Sequence, residues 1–245
     1  MSIIERTNPL NLQYKVCVVT NASTPLGVVI CKTLLKANAL VLGIDKNARD
    51  HSLNAGLGTH FQFEQRDLND PETPQEIIAS SVKKFDSLGG KFDALVNLVG
   101  EDGTDLDGIR NLTEGLGDVM KEAGQGSIIT VPGKVEGSDE SRSQALINFT
   151  KDVTQRFEGT AIRTNMIVSE TTDAKTQDSA KTFEEAKSHM TALIKTERSA
   201  KDAPDGKGPP PRFYEVGNLV LFLAGGMSEN ISGQAVSLDG SYRAL

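Results

Sequence analysis

The sequence predicts one α/β domain built on a doubly wound parallel sheet, and three observations carry that expectation. Seven short apolar, mostly β-branched runs recur along the chain, and segments with helical apolar spacing lie between them. Such alternation makes βαβ units, whose right-handed crossovers lay helices on both faces of a parallel sheet. The length, 245 residues, suits one domain with a fully buried core. No internal repeat and no linker divides residues 1–245, so they are taken as a single unit.

The elements follow in order. Residues 15–20 form a buried strand, and a polar turn, 21–25, leads into a helix over 26–38 with Val28, Val29, Leu34 and Leu35 at helical spacing. A second strand covers 39–44 and ends at Asp45; a third covers 61–65. Asp67 to Asp70 and Pro71 signal a helix start, and the helix over 76–88 stops at Gly89-Gly90. Strands over 94–98 and 126–131 flank a helix over 109–123. A helix over 143–157, a strand over 161–168, a helix over 215–224 and a last strand over 235–238 complete the pattern. Residues 171–212 shift in composition, with a helical piece near 182–197 and a Gly/Pro-rich end. They are expected to form a mobile insertion over the sheet edge, the proline run serving as a stiff connector or an interaction ligand.

Hydrophobic residues make up 38% and charged residues 24%, the balance of a soluble globular chain. A net charge of −7 argues against a nucleic-acid partner, which needs a basic face. No apolar run reaches the ~18–20 residues of a membrane span, and residues 1–11 lack a secretory pattern, so a cytoplasmic protein without membrane contact is expected. Cys17 and Cys31 lie at apolar positions and read as buried thiols. Neither they nor the scattered His51, His60 and His189 have metal-ligand spacing, so no metal is expected.

Thr20 to Gly27, Asp67, Asn97 to Gly100, Asn111 to Thr113, Ile162 to Ile167 and Gly233 to Gly240 are six segments in register over nearly the whole chain, and together they resemble the short-chain dehydrogenases/reductases. Thr20-Asn21-Ala22-Ser23-Thr24-Pro25-Leu26-Gly27 stands where that family has Thr-Gly-x-x-x-Gly-x-Gly. Asp67 stands at its adenine contact, Asn97-Leu98-Val99-Gly100 at its Asn-Asn-Ala-Gly strand end, and Asn111-Leu112-Thr113 at the asparagine of the helix behind the catalytic site. Ile162 to Ile167 and Gly233 to Gly240 match two later strands. The resemblance implies a Rossmann-type fold and, if NAD or NADP binds, contacts from Thr20, Asn21, Ser23, Leu26, Gly27, Asp45, Asp67, Leu68, Asn97 and Gly100. It also implies a homo-oligomer paired through the helix over 143–157, although Ile147 and Phe149 are equally explained by packing within the chain.

The departures bear on chemistry. Two of the three turn glycines are Asn21 and Pro25; both add bulk where a phosphate would lie, and proline removes an N–H donor. Asp45 reads either as a ribose acceptor selecting NAD or as a turn residue. The family's Tyr-x-x-x-Lys pair, in which lysine lowers the tyrosine pKa for proton transfer, is lost: the resemblance puts Asp139 at the tyrosine and Ser143 at the lysine. The family's serine falls on Pro132 or Gly133, and the loop is shorter than usual. Asn111 alone of the four catalytic positions is kept, either for catalysis or to pin its helix.

Lys134, Glu136, Asp139 and Arg142 would edge the pocket, and a carboxylate there could act as base or stabilise a cation; the alternative is a solvated charged loop. Some divergent fungal members of the family in alkaloid biosynthesis lack the same pair, reduce an iminium and steer a cycloaddition. Three functions stay open. The first is an atypical enzyme for cyclisation, isomerisation, elimination or iminium chemistry on an apolar small molecule, with Asn111, Asp139, Arg142 and Ser143 as candidate catalytic residues. The second is an NAD(P)-dependent oxidoreductase with substituted catalytic residues, and the third a non-catalytic scaffold or regulatory subunit.

Overall fold

The computed structural model describes residues 9–48, 60–70, 72–84, 91–100, 105–133, 140–169 and 213–238, without the side chains of 81–84, 140–143 and 169. Strands β1 (Val16–Thr20), β2 (Leu40–Asp45), β3 (Phe61–Gln65), β4 (Ala94–Val99), β5 (Gly126–Pro132), β6 (Ile162–Ser169) and β7 (Ala235–Leu238) form one sheet. Their order is β3-β2-β1-β4-β5-β6-β7, and every pair is parallel. The chain winds outward from β1 to β3, then returns to lay β4 on the other side of β1. The doubly wound, Rossmann-type expectation is met, and the strand order reverses between β1 and β4, where such sheets bind ligands at their carboxyl ends.

Helices α1 (Pro25–Lys36), α2 (Thr73–Lys84), α3 (Leu106–Ala123), α4 (Glu140–Arg156) and α5 (Phe213–Ala224) cover the two faces, and a 3-10 turn (Gly226–Ser228) follows α5. Alternation within each strand feeds the faces separately. Cys17 and Val19 of β1 join Ile30, Leu34, Val216 and Val220 under α1 and α5. Val16 and Val18 join Ile77, Ile109, Leu112, Phe149 and Val153 under α2, α3 and α4. Both cysteines are buried and free, and burial pushes the Cys31 thiol up to about 12 and Cys17 higher still.

Several element ends differ from the sequence expectation. Helix α1 stops at Lys36, not 38: Ala37 caps it, and Asn38 turns left-handed at φ 67°. The second to fifth helices start two to three residues earlier than apolar spacing indicates; α2 and α4 open on Thr, Pro, Glu and Ser, whereas α5 opens on the buried Phe213. The expected end of α2 at residue 88 and the insertion over 171–212 lie outside the described residues.

Arg163 of β6 closes the carboxyl end of α5. Its guanidinium donates to the Leu223 carbonyl at 2.8 Å, to Ser228 Oγ at 2.8 Å and to the Gly225 carbonyl at 3.3 Å. Burial in that position lowers its pKa, against the opposing field of Glu229.

Candidate functional site

The site is built from the turn that follows β1. Asn21 takes a left-handed conformation, φ 50°, which asparagine tolerates better than most residues. Its turn closes through Thr24 N–H to the Asn21 carbonyl at 3.2 Å, and Thr24 Oγ1 caps α1 by accepting the Gly27 N–H at 3.1 Å. Pro25 is the first helical residue, where its missing N–H costs the helix nothing. Gly27 is required by contact: a Cβ there would lie 2.3 Å from the Asn21 carbonyl oxygen. This last glycine seats the helix against the strand end.

Two buried aspartates hold the turn. Asp45, 2% exposed at the end of β2, accepts the Ser23 N–H at 2.9 Å on one oxygen and the Asn47 N–H at 2.8 Å on the other. Asp105, 8% exposed just before α3, accepts the Gly100 N–H on both oxygens at 3.0 and 3.2 Å and the side-chain amide of Asn21. That same amide donates to the Leu98 carbonyl at 2.7 Å, and Thr20 Oγ1 donates to it at 3.0 Å. Asn21 and Asp105 therefore tie the end of β1 to the end of β4, across the crevice where the strand order reverses.

Beside this tie lies a cleft of about 340 Å³, lined by Asn21, Thr24, residues 44–47, residues 66–68, Gly100 and Asp105. These come from the carboxyl ends of β1 to β4 and the start of α3; among the described residues β5 and β6 contribute none. Of the expected cofactor residues, Asn21, Asp45, Asp67, Leu68 and Gly100 line the cleft. Asp67 turns one oxygen to the Asn69 N–H at 3.0 Å, and Leu68 is buried against Gly108, where a Cβ would meet its carbonyl oxygen at 1.9 Å.

Thr20, Ser23, Leu26, Gly27 and Asn97 do not line the cleft. Asn97 is buried within the sheet and donates to Thr113 Oγ1 at 2.9 Å, while its Oδ1 has no partner among the described residues. Asn111 is exposed on α3 and also lines no part of it. Arg142 and Ser143 occupy the first turn of α4, and Asp139, with Lys134 and Glu136, lies outside the described residues. Asp105, Lys46, Asn47 and Arg66 were not foreseen. An Asp before a helix reads locally as an N-cap, yet Asp105 makes no side-chain cap bond and turns to Gly100 instead.

No family model matches the chain. It is 27% identical over 264 residues to the short chain dehydrogenase ausX of Penicillium brasilianum, covering 96% of this chain and 98% of the relative. Over 259 residues it is 26% identical to the 3-oxoacyl-acyl-carrier-protein reductase FabG of Thermotoga maritima, covering 94% and 98%. The chain belongs to the short-chain dehydrogenase/reductase superfamily. The fold agrees: a short-chain dehydrogenase of Leptospira borgpetersenii, solved with bound NAD+, superposes with a TM-score of 0.68 at 20% identity over 99% of this chain and 96% of that one. A short-chain dehydrogenase/reductase of Burkholderia xenovorans gives 0.70 at 20% identity over 94% and 96%.

In this short-chain dehydrogenase/reductase, the residues at the phosphate position do not fit a pyrophosphate. Within the first turn of α1, Pro25 has no N–H, Gly27 and Val28 bond to Thr24, and among the described residues only the Leu26 N–H lacks an acceptor. Asp105 adds a buried carboxylate, and any anion within ~4 Å of it is repelled by about 4 kcal/mol at an effective dielectric near 20. The three tyrosines of the chain are Tyr14, Tyr214 and Tyr242, none followed four residues later by lysine. Strand β5 runs into Pro132 and Gly133, whose N–H donates to the Val99 carbonyl at 2.8 Å. Neither residue offers a hydroxyl.

Proposed function

We propose that this protein is an enzyme of the short-chain dehydrogenase/reductase fold that acts on an apolar small molecule without the family's tyrosine–lysine relay. The observation that carries the reading is the carboxyl edge of the sheet. The binding crevice of the fold is framed by β1 to β4, while β5 ends without a hydroxyl and no Tyr-x-x-x-Lys occurs in the chain. Chemistry then falls to the acidic and basic groups after β5, Asp139 and Arg142 first. Cyclisation, isomerisation, elimination or iminium chemistry suits such groups, because a carboxylate can remove a proton or stabilise a cation. Asn111, exposed on α3, and Ser143 complete the candidate set.

An NAD(P)-dependent oxidoreductase is the second reading. Asp45, Asp67 and Leu68 line the cleft where the resemblance puts the adenosine half of the cofactor, and FabG is named as a reductase. The tie between Asn21 and Asp105 stands against it.

The test is to incubate the protein with a panel of cyclic imines, enones and ketones, with and without NADPH, and to follow products by mass spectrometry. Turnover without NADPH oxidation, abolished by Asp139→Asn, is the expected result. Turnover that consumes NADPH and is untouched by Asp139→Asn replaces the first reading with the second.

A further inference from the structure

We infer that Asn21 and Asp105 form a latch that sets ligand specificity: it bars a pyrophosphate from the crevice between β1 and β4, so the adjoining cleft takes a ligand no longer than a nucleoside. The inference does not rest on the proposed reaction, and it excludes the dinucleotide-dependent second reading. It rests first on a hydrogen bond between residues 84 positions apart.

The latch fills space that a glycine at position 21 would leave open. The Asn21 amide lies between the Leu98 carbonyl and the Asp105 carboxylate and so spans the ends of β1 and β4 directly. Among the described residues, the lining of the cleft ends at Gly100 and Asp105, beside this pair. Its volume of about 340 Å³ sits at the low end of the ~300–1,000 Å³ range of small-molecule pockets.

Charge agrees with shape. Asp105 is held by a backbone N–H and an amide, with no lysine or arginine bonded to it among the described residues. Its negative charge therefore faces whatever enters. Asp45 has each oxygen already bonded to a backbone N–H. Two cations also line the cleft, Arg66, engaged with Glu76 at 2.9 Å, and the exposed Lys46. At the Asp105 end, a neutral ligand avoids the repulsion that a phosphate would incur.

Calorimetric titration of the whole chain with NADH, NADPH and adenosine tests the latch, on wild type, Asn21→Gly and the double variant Asn21→Gly/Asp105→Asn. Glycine adopts the left-handed conformation of position 21 freely, so the single variant keeps the turn. Circular dichroism melting checks the fold of each. In wild type, adenosine is expected to saturate and neither dinucleotide to register at ~1 mM, where weak complexes are still detected. Removing the latch is expected to raise NADH affinity at least ~10-fold. Saturable binding of NADH or NADPH to wild type overturns the latch. So does a folded single or double variant that gains no dinucleotide affinity, and failure of adenosine to bind overturns the ligand size.

Discussion

Helices α1 and α4 both start at the carboxyl edge, one after β1 and the other after β5, yet they are held in different ways. Helix α1 is locked at its first turn by a cap from Thr24, a close backbone seat at Gly27 and the hydrogen bonds of Asp45 and Asp105 to the turn before it. Helix α4 is held from below by Leu146, Phe149 and Val153, and at its rim by exposed ion pairs. At the first strand end the protein's own side chains take up the donors that a phosphate would use. At the second, an apolar stripe carries the helix.

Phe149→Ala is the strongest test of that contrast. Phe149 is fully buried, and its loss is expected to cost about 3–5 kcal/mol in urea unfolding. A cost below ~1 kcal/mol would mean that α4 is held by something other than its stripe. Gly27→Ala comes next, at about 2–3 kcal/mol, since the new methyl group meets backbone rather than a side chain that can move aside.

Thr113→Val is expected to cost about 1–2 kcal/mol by leaving the Asn97 amide unpaired, whereas Asn97→Leu/Thr113→Val together should cost less. The reason is that the Asn97 carbonyl oxygen already lacks a partner among the described residues. A double variant worse than the single would show that the pair does more than satisfy itself.

Arg156→Gln should change stability by no more than ~0.5 kcal/mol and less still in high salt, because its pairs with Glu114 and Asp118 are exposed. Smallest of all is the effect of a thiol reagent on the folded protein. With thiol pKa values raised by burial, Cys17 and Cys31 stay protonated and covered at pH 8, and should react only once urea unfolds the chain.

Most of the architecture was legible in the sequence. Valine-rich runs such as Val16 to Val19 and the spacing of Ile109, Leu112, Leu116 and Met120 report burial directly, since side-chain direction follows the local period. Helix starts were less legible: α2 and α4 open on polar residues and proline, which carry no apolar period. The candidate site was legible in part. Asp45, Asp67, Leu68 and Gly100 fall on the cleft, and so does Asn21, its amide bonded to the Leu98 carbonyl and to Asp105. Asn97 instead packs inside the sheet, and Asn111 faces outward.

The sequence by itself determined the strand and helix alternation, the parallel doubly wound class, and the absence of any Tyr-x-x-x-Lys, because each is written in local period or residue identity. Only the tertiary structure decided that Asp105 turns from its helix to Gly100 and Asn21, and that both oxygens of Asp45 are spent on backbone N–H groups. Those partners are brought together by crossovers between strands far apart in sequence. No local pattern specifies which distant backbone group a buried carboxylate will meet.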